Sequence, residues 1–239
     1  MKKIILGLLT STILFSCSSS DDETSLNEQP NPNMLKLKTV QEKNSNYEET
    51  YYYGNNDYVS KMENTHSVYD FIYEGNKIVS RTESYDGEVV FRLDYYYSGD
   101  LIIESFGNIY DGRTQRIEYT YDNAGRLVLE EIYEKDPIAS NFVLMRTYEY
   151  KYDNNFIVKT IFNYVVMNSV YEYNYKYDDK HNPYYGIYPD SYSKIHKHFR
   201  NNIITSNDGQ YDTQYEFEYD LDGYPTENRY KVFTYYPKK

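Results

Sequence analysis

From Tyr171 to Tyr177 the chain reads YEYNYKY, with a ring at every second position and a polar residue between. Successive residues of a strand point to opposite sides of a sheet. As a strand, this stretch sets four tyrosines on one face and Glu172, Asn174 and Lys176 on the other. Ile117, Tyr119 and Tyr121 separate in the same way from Arg116, Glu118 and Thr120. So do Tyr215, Phe217 and Tyr219 from Gln214, Glu216 and Glu218. One aromatic face and one wet, charged face predict an antiparallel sheet covered on one side.

The alternating runs end in turn signals, and the unit repeats. Its last tyrosines are Tyr53, Tyr73, Tyr97, Tyr121, Tyr152, Tyr177 and Tyr219, at intervals of 20, 24, 24, 31, 25 and 42 residues. A strand, a tight turn and a returning strand fill such a unit, so each is one β-hairpin. In Tyr121-Asp122-Asn123-Ala124-Gly125 the aspartate can form an Asx turn and the glycine can take positive φ. Returning strands are aliphatic, as in Leu101-Ile102-Ile103 and Leu127-Val128-Leu129. A slip of one residue would throw the rings into water, so the register is well specified.

The predicted fold is all-β: an antiparallel meander of about seven hairpins forming one large sheet, curled into a roll or open barrel. A two-sheet sandwich and a propeller are the alternatives. Composition agrees. Alanine, the strongest helix former, occurs twice, whereas tyrosine occurs 34 times and tryptophan never. The rings read first as core, since tyrosine buries a large surface while its hydroxyl reaches water or a carbonyl. A row of exposed rings for stacking on sugars is the other reading.

The rhythm breaks between Tyr177 and Tyr219. Pro183 and Pro189 cannot donate to a central ladder. Tyr192, Ile195 and Phe199 then fall at helical spacing, with Asp190 or Ser191 as a cap. One short helix near 190–200 is expected to cover the end of the curled sheet, either as a plug or as the lip of a binding groove. On the groove reading, Tyr184, Tyr185, Tyr188, Tyr192 and His196 are the candidate binding residues. His181, His196 and His198 share this insert, but a zinc site wants three or four ligands in a supported geometry, and two neighbouring histidines with no cysteine fall short of it. The chain holds no GxSxG, HExxH or phosphate-loop motif, so no catalytic residue and no cofactor is assigned.

The first 33 residues follow a different logic. Lys2 and Lys3 precede an apolar run from Ile4 to Phe15, as in a secretory signal. The run ends in Leu14-Phe15-Ser16-Cys17, which resembles the lipobox of bacterial lipoproteins. On that reading residues 1–16 are removed and Cys17, the single cysteine, carries the lipid. Acyl chains contribute about 0.8 kcal/mol per buried methylene, enough for two or three to hold a membrane. Residues 17–33 are polar and read as a flexible tether, followed by one domain over 34–239. Ser20-Asp21-Asp22-Glu23 resembles the acidic signal that sends Bacteroidota lipoproteins to the outer cell surface. A periplasm-facing anchor is the alternative. Net charge is −12, and removing Lys2 and Lys3 takes it to −14. Such a chain is repelled by nucleic acid.

Thr120 to Val128, TYDNAGRLV, is similar to the YD repeat of Rhs-type shell proteins. YKYDDKHNPYYGIY (175–188) and YEFEYDLDGYPTE (215–227) resemble a family of short Bacteroidota lipoproteins of unknown function. The resemblance implies a tyrosine-rich hairpin array over roughly 47–236 and transfers no catalytic residue. Two functions are carried forward. One is a non-catalytic binding module for a glycan or a protein partner. The other is a structural or interaction component of an envelope or secretion assembly with no small ligand.

Overall fold

The computed structural model describes residues 34–109 and 112–237. The strands are β1 (Leu37–Glu42), β2 (Glu48–Tyr53), β3 (Val59–Glu63), β4 (Ser67–Glu74), β5 (Lys77–Tyr85), β6 (Glu88–Ser98), β7 (Leu101–Asn108), β8 (Thr114–Tyr121) and β9 (Leu127–Lys135). They continue as β10 (Val143–Asp153), β11 (Phe156–Tyr164), β12 (Ser169–Tyr177), β13 (Ile203–Asn207), β14 (Asp212–Gln214), β15 (Phe217–Tyr219), β16 (Pro225–Asn228) and β17 (Lys231–Tyr235). One α-helix, α1 (Asp190–His196), interrupts them.

Each strand from β1 to β13 pairs antiparallel with the next. β15 pairs with β16 and β16 with β17, and β17 returns to β1. No ladder joins β14 to β15; the chain passes between them through Tyr215-Glu216. The result is one large sheet curled on itself without closing into a barrel. The seven expected hairpins are all present. The sixth, β12–β13, is opened by residues 178–202.

The repeated tyrosine has a structural reason that alternation alone does not reveal. At each of the seven anchors the register shifts beside the turn, between Tyr52 and Tyr53, Ile72 and Tyr73, and so on through Glu218 and Tyr219. A bulge of this kind leaves a ladder group unpaired. Six anchors reach back one hairpin and donate their hydroxyls to carbonyls. Tyr53 reaches Leu37 O (2.9 Å), Tyr73 reaches Val59 O (2.6 Å) and Tyr97 reaches Ile78 O (2.8 Å). Tyr121 reaches Ile102 O (2.7 Å), Tyr152 reaches Leu127 O (2.8 Å) and Tyr177 reaches Ile157 O (2.9 Å). The six accepting residues are the aliphatics that lead the core, all buried. Ring and hydroxyl therefore act together: the ring packs on the core and the hydroxyl satisfies its backbone. Tyr219 departs from the rule, because its hydroxyl donates to the Asp178 carboxylate instead.

Turn chemistry follows the sequence. Asp122 Oδ1 accepts from Ala124 N and Arg126 N, both at 2.9 Å, and Gly125 lies at φ +70°. Asp220 Oδ1 does the same for Asp222 N and Tyr224 N. The outer face is charged, with same-strand ion pairs such as Arg92–Asp94 (2.9 Å) and Arg116–Glu118 (3.2 Å).

Candidate functional site

Residues 178–202 leave the sheet at Tyr177 and fold across its concave side. Asp178 fixes the departure: its carboxylate accepts from Asn202 N (3.0 Å) and Asn202 Nδ2 (3.1 Å), and from the Tyr219 hydroxyl. His181 N donates to Gly223 O (3.1 Å) and its ring stacks on Tyr224 at 4.4 Å. The insert thus ties the end of β12 to β15 and the turn that follows it. Farther on, Val59 N donates to Ile187 O (2.9 Å), so the segment is held by the sheet's own backbone.

The helix arrives where the spacing placed it, with two corrections. It is seven residues long, so Phe199 lies beyond it, packed against Tyr177 at 5.9 Å. Neither Asp190 nor Ser191 caps it. The N-cap is Pro189, without a side-chain cap bond, and Asp190 pairs with Lys194 at 2.9 Å instead.

Of the predicted binding residues, Tyr188 and Tyr192 lie inside the core, 7% and 3% exposed. Tyr192 packs on Phe71 (5.8 Å), Tyr95 (5.7 Å) and Tyr188 (5.1 Å). Tyr188 packs on Phe71 (5.1 Å) and His198 (5.5 Å). His196 lies 4.1 Å from the Tyr192 ring, with its Nε2 buried. These three fill the interior and line no groove. Tyr184 is half-buried between Tyr51 (6.4 Å) and His198 (5.8 Å). Tyr185 alone borders a small cleft, with Met34, Lys36, Asp57 and Gly186. The sixth assigned position, Cys17, lies outside the described residues.

The filled interior is also polar. Glu130 accepts from the Tyr150 hydroxyl and from Lys197 Nζ, both at 2.7 Å, so the residue after the helix ties the insert to the far wall. Glu134 is held by Arg113 and Arg146. Burial holds the His196 ring well below the ordinary histidine range, with His198, Arg81 and Lys197 adding to the effect. Burial, then Lys197, takes His198 down to about 4. Burial pushes the Tyr95, Tyr119 and Tyr188 phenols far up. All five groups are therefore neutral at pH 7. Among the described residues no cluster of three or more His, Cys, Asp or Glu has metal-binding geometry.

A second region went unseen in the sequence. β11 pairs with β12 over Ser169–Asn174, but β13 pairs with β12 only over Asn174–Tyr177. Among the described residues, no strand pairs with Ser169 to Tyr173 on their second side. Beside them a 3-10 turn, Val165–Met167, carries three exposed apolar side chains. Val170 and Tyr171 are 62% and 49% exposed. Tyr171 ends a cross-strand stack with Phe162 (5.9 Å) and Tyr148 (4.8 Å from Phe162). The sequence signal is the turn at Asn207-Asp208-Gly209, which ends β13 after five residues, before it can cover β12.

No family model matches the chain, and no curated protein matches it. Its fold is similar to that of a solved protein described as a porin-like protein from Bacteroides uniformis ATCC 8492. That match has a TM-score of 0.54 at 12% identity, covering 84% of this chain and 96% of the other. At that identity the likeness concerns fold alone. Among the described residues no helix is long and apolar enough to cross a membrane.

Proposed function

We propose that this chain is a non-catalytic lipoprotein, anchored through Cys17 to the outer membrane and facing the cell exterior, that binds a protein partner. It works by its outer surfaces and rim, with no small ligand in its interior. The observation that carries this reading is the plug: Tyr188, Tyr192 and Ile195 occupy the space that a glycan groove would need. The porin-like neighbour fits an envelope setting. A spanning barrel needs an apolar outward band, whereas Arg92, Asp94, Arg116 and Glu118 stand on the outer face here. An anchored domain outside the bilayer accounts for both. The seven bulged Tyr hairpins support the further proposal that the chain is a short YD-repeat protein.

The test is a thermal-shift screen of the mature protein against host and microbial polysaccharides. No shift is expected with any of them. A reproducible, saturable shift with one glycan overturns the reading in favour of glycan capture. Mass spectrometry of the natively purified chain should find fatty acid on Cys17; an unmodified residue there removes the anchor.

A further inference from the structure

Every sheet edge is a row of backbone donors and acceptors, and soluble proteins guard such rows with lysine, proline, bulges or very short strands. In this fold the short strands β14 and β15 follow that rule, and one stretch of β12 departs from it. β14 and β15 are three residues each, and β14 carries Asp212, Thr213 and Gln214, all exposed. The open stretch of β12, Ser169 to Tyr173, reads SVYEY, with no proline or lysine and two exposed apolar side chains. It carries no register shift against β11, so its pairing is regular and no bulge guards it.

Its surroundings favour one sign of charge. Asp208 and Asp212 are exposed next to this opening and make no ion pair among the described residues. Glu172 stands on the edge strand itself, bonded to Lys159 at 2.6 Å. The whole chain carries −12, so a second copy meets like charge.

We propose that Ser169–Tyr173 of β12 is a docking edge for an extended, positively charged peptide segment of a partner protein, added as a further strand. This deepens the protein-partner reading and rests on it. Backbone bonds to the open edge supply affinity, and alternate side chains supply specificity. On the inner side, an aromatic or aliphatic residue of the partner continues the Tyr148–Phe162–Tyr171 stack. On the outer side, its lysines or arginines face Glu172 and the acids around β13 and β14.

The experiment uses the mature protein and a fluorescent synthetic peptide repeating Lys-Val-Lys-Tyr, with Glu-Val-Glu-Tyr as the charge-reversed control. Fluorescence anisotropy should show saturable binding of the cationic peptide and at least about tenfold weaker binding of the control. Hydrogen exchange should slow at residues 169–173 when the cationic peptide is bound. Val170→Lys sits on an exposed position that folds unchanged and should weaken binding about tenfold by guarding the edge. Equal binding of both peptides overturns the proposal, as does protection elsewhere with V170K binding normally. Either leaves the protein-partner reading standing, which only the glycan screen removes. Sedimentation of the free protein as a dimer that V170K dissolves overturns it in favour of self-pairing.

Discussion

The two ends of β12 carry the same alternation and meet different fates. At one end Tyr177 lies beneath the insert, donates to Ile157 O and packs on Phe199. At the other end Tyr171 stacks on Phe162 and then faces solvent. Nothing in the local sequence separates them. What differs is what lies alongside: β13 and the insert reach Asn174–Tyr177 and stop. Period two decides which face a side chain takes, and the length of neighbouring strands decides whether that face is covered.

The contrast breaks first at the plug. Replacing Tyr192 by Ala removes a ring packed on Phe71, Tyr95 and Tyr188. A loss of about 3–5 kcal/mol is expected, read by urea denaturation. Tyr171→Ala should cost far less, and equal losses would erase the distinction between covered and open rings.

Acid acts on the covered end next. His196 and His198 are half-buried, each with a ring nitrogen shut off from solvent, and stay neutral, so the unfolded chain, with histidines near 6.5, takes up protons before the folded one. The His198 contribution is present above pH 6.5 and is lost as pH falls toward 4, by about 1.4 kcal/mol per unit, and His196 acts in the same direction. His198→Gln should flatten the stability profile in that window, measured by denaturation at stepped pH. An unchanged slope would mean that the ring is solvated.

Removing a single hydroxyl sharpens the comparison further. Tyr121→Phe leaves the Ile102 carbonyl without its partner and should cost about 1–2 kcal/mol. The smallest change is expected at the open end, where Tyr171→Phe should stay within about 0.5 kcal/mol. Thermal melts of the two variants side by side decide whether the hydroxyl ladder is a stabilising device or incidental.

Much of the fold was legible because period-two patterning and Asx-turn chemistry are local. Tyr119 and Asp122 sit where their neighbours in sequence dictate. The insert was legible in outline, since Tyr192 and Ile195 share a helical stripe. Its cap was not, because Pro189 starts the helix by its fixed φ and Asp190 is drawn to Lys194. The candidate binding set mixed rings with different surroundings. Tyr188 and Tyr192 are drawn inward by Phe71 and Tyr95, more than 90 residues away in sequence, which no short window contains. The bulges were equally hidden: the seven tyrosines were evident, but not that six of their hydroxyls reach back to carbonyls of an earlier strand.

The central claim is that the inner face is covered at the tyrosine turns and open beside Ser169–Tyr173. Acetylation of tyrosines with N-acetylimidazole, read residue by residue by mass spectrometry on the folded protein, tests it most directly. Tyr171 and Tyr211 should react quickly, while Tyr119, Tyr188 and Tyr192 stay unmodified until the protein is unfolded. Rapid modification of Tyr188 and Tyr192 alongside Tyr171 would contradict it.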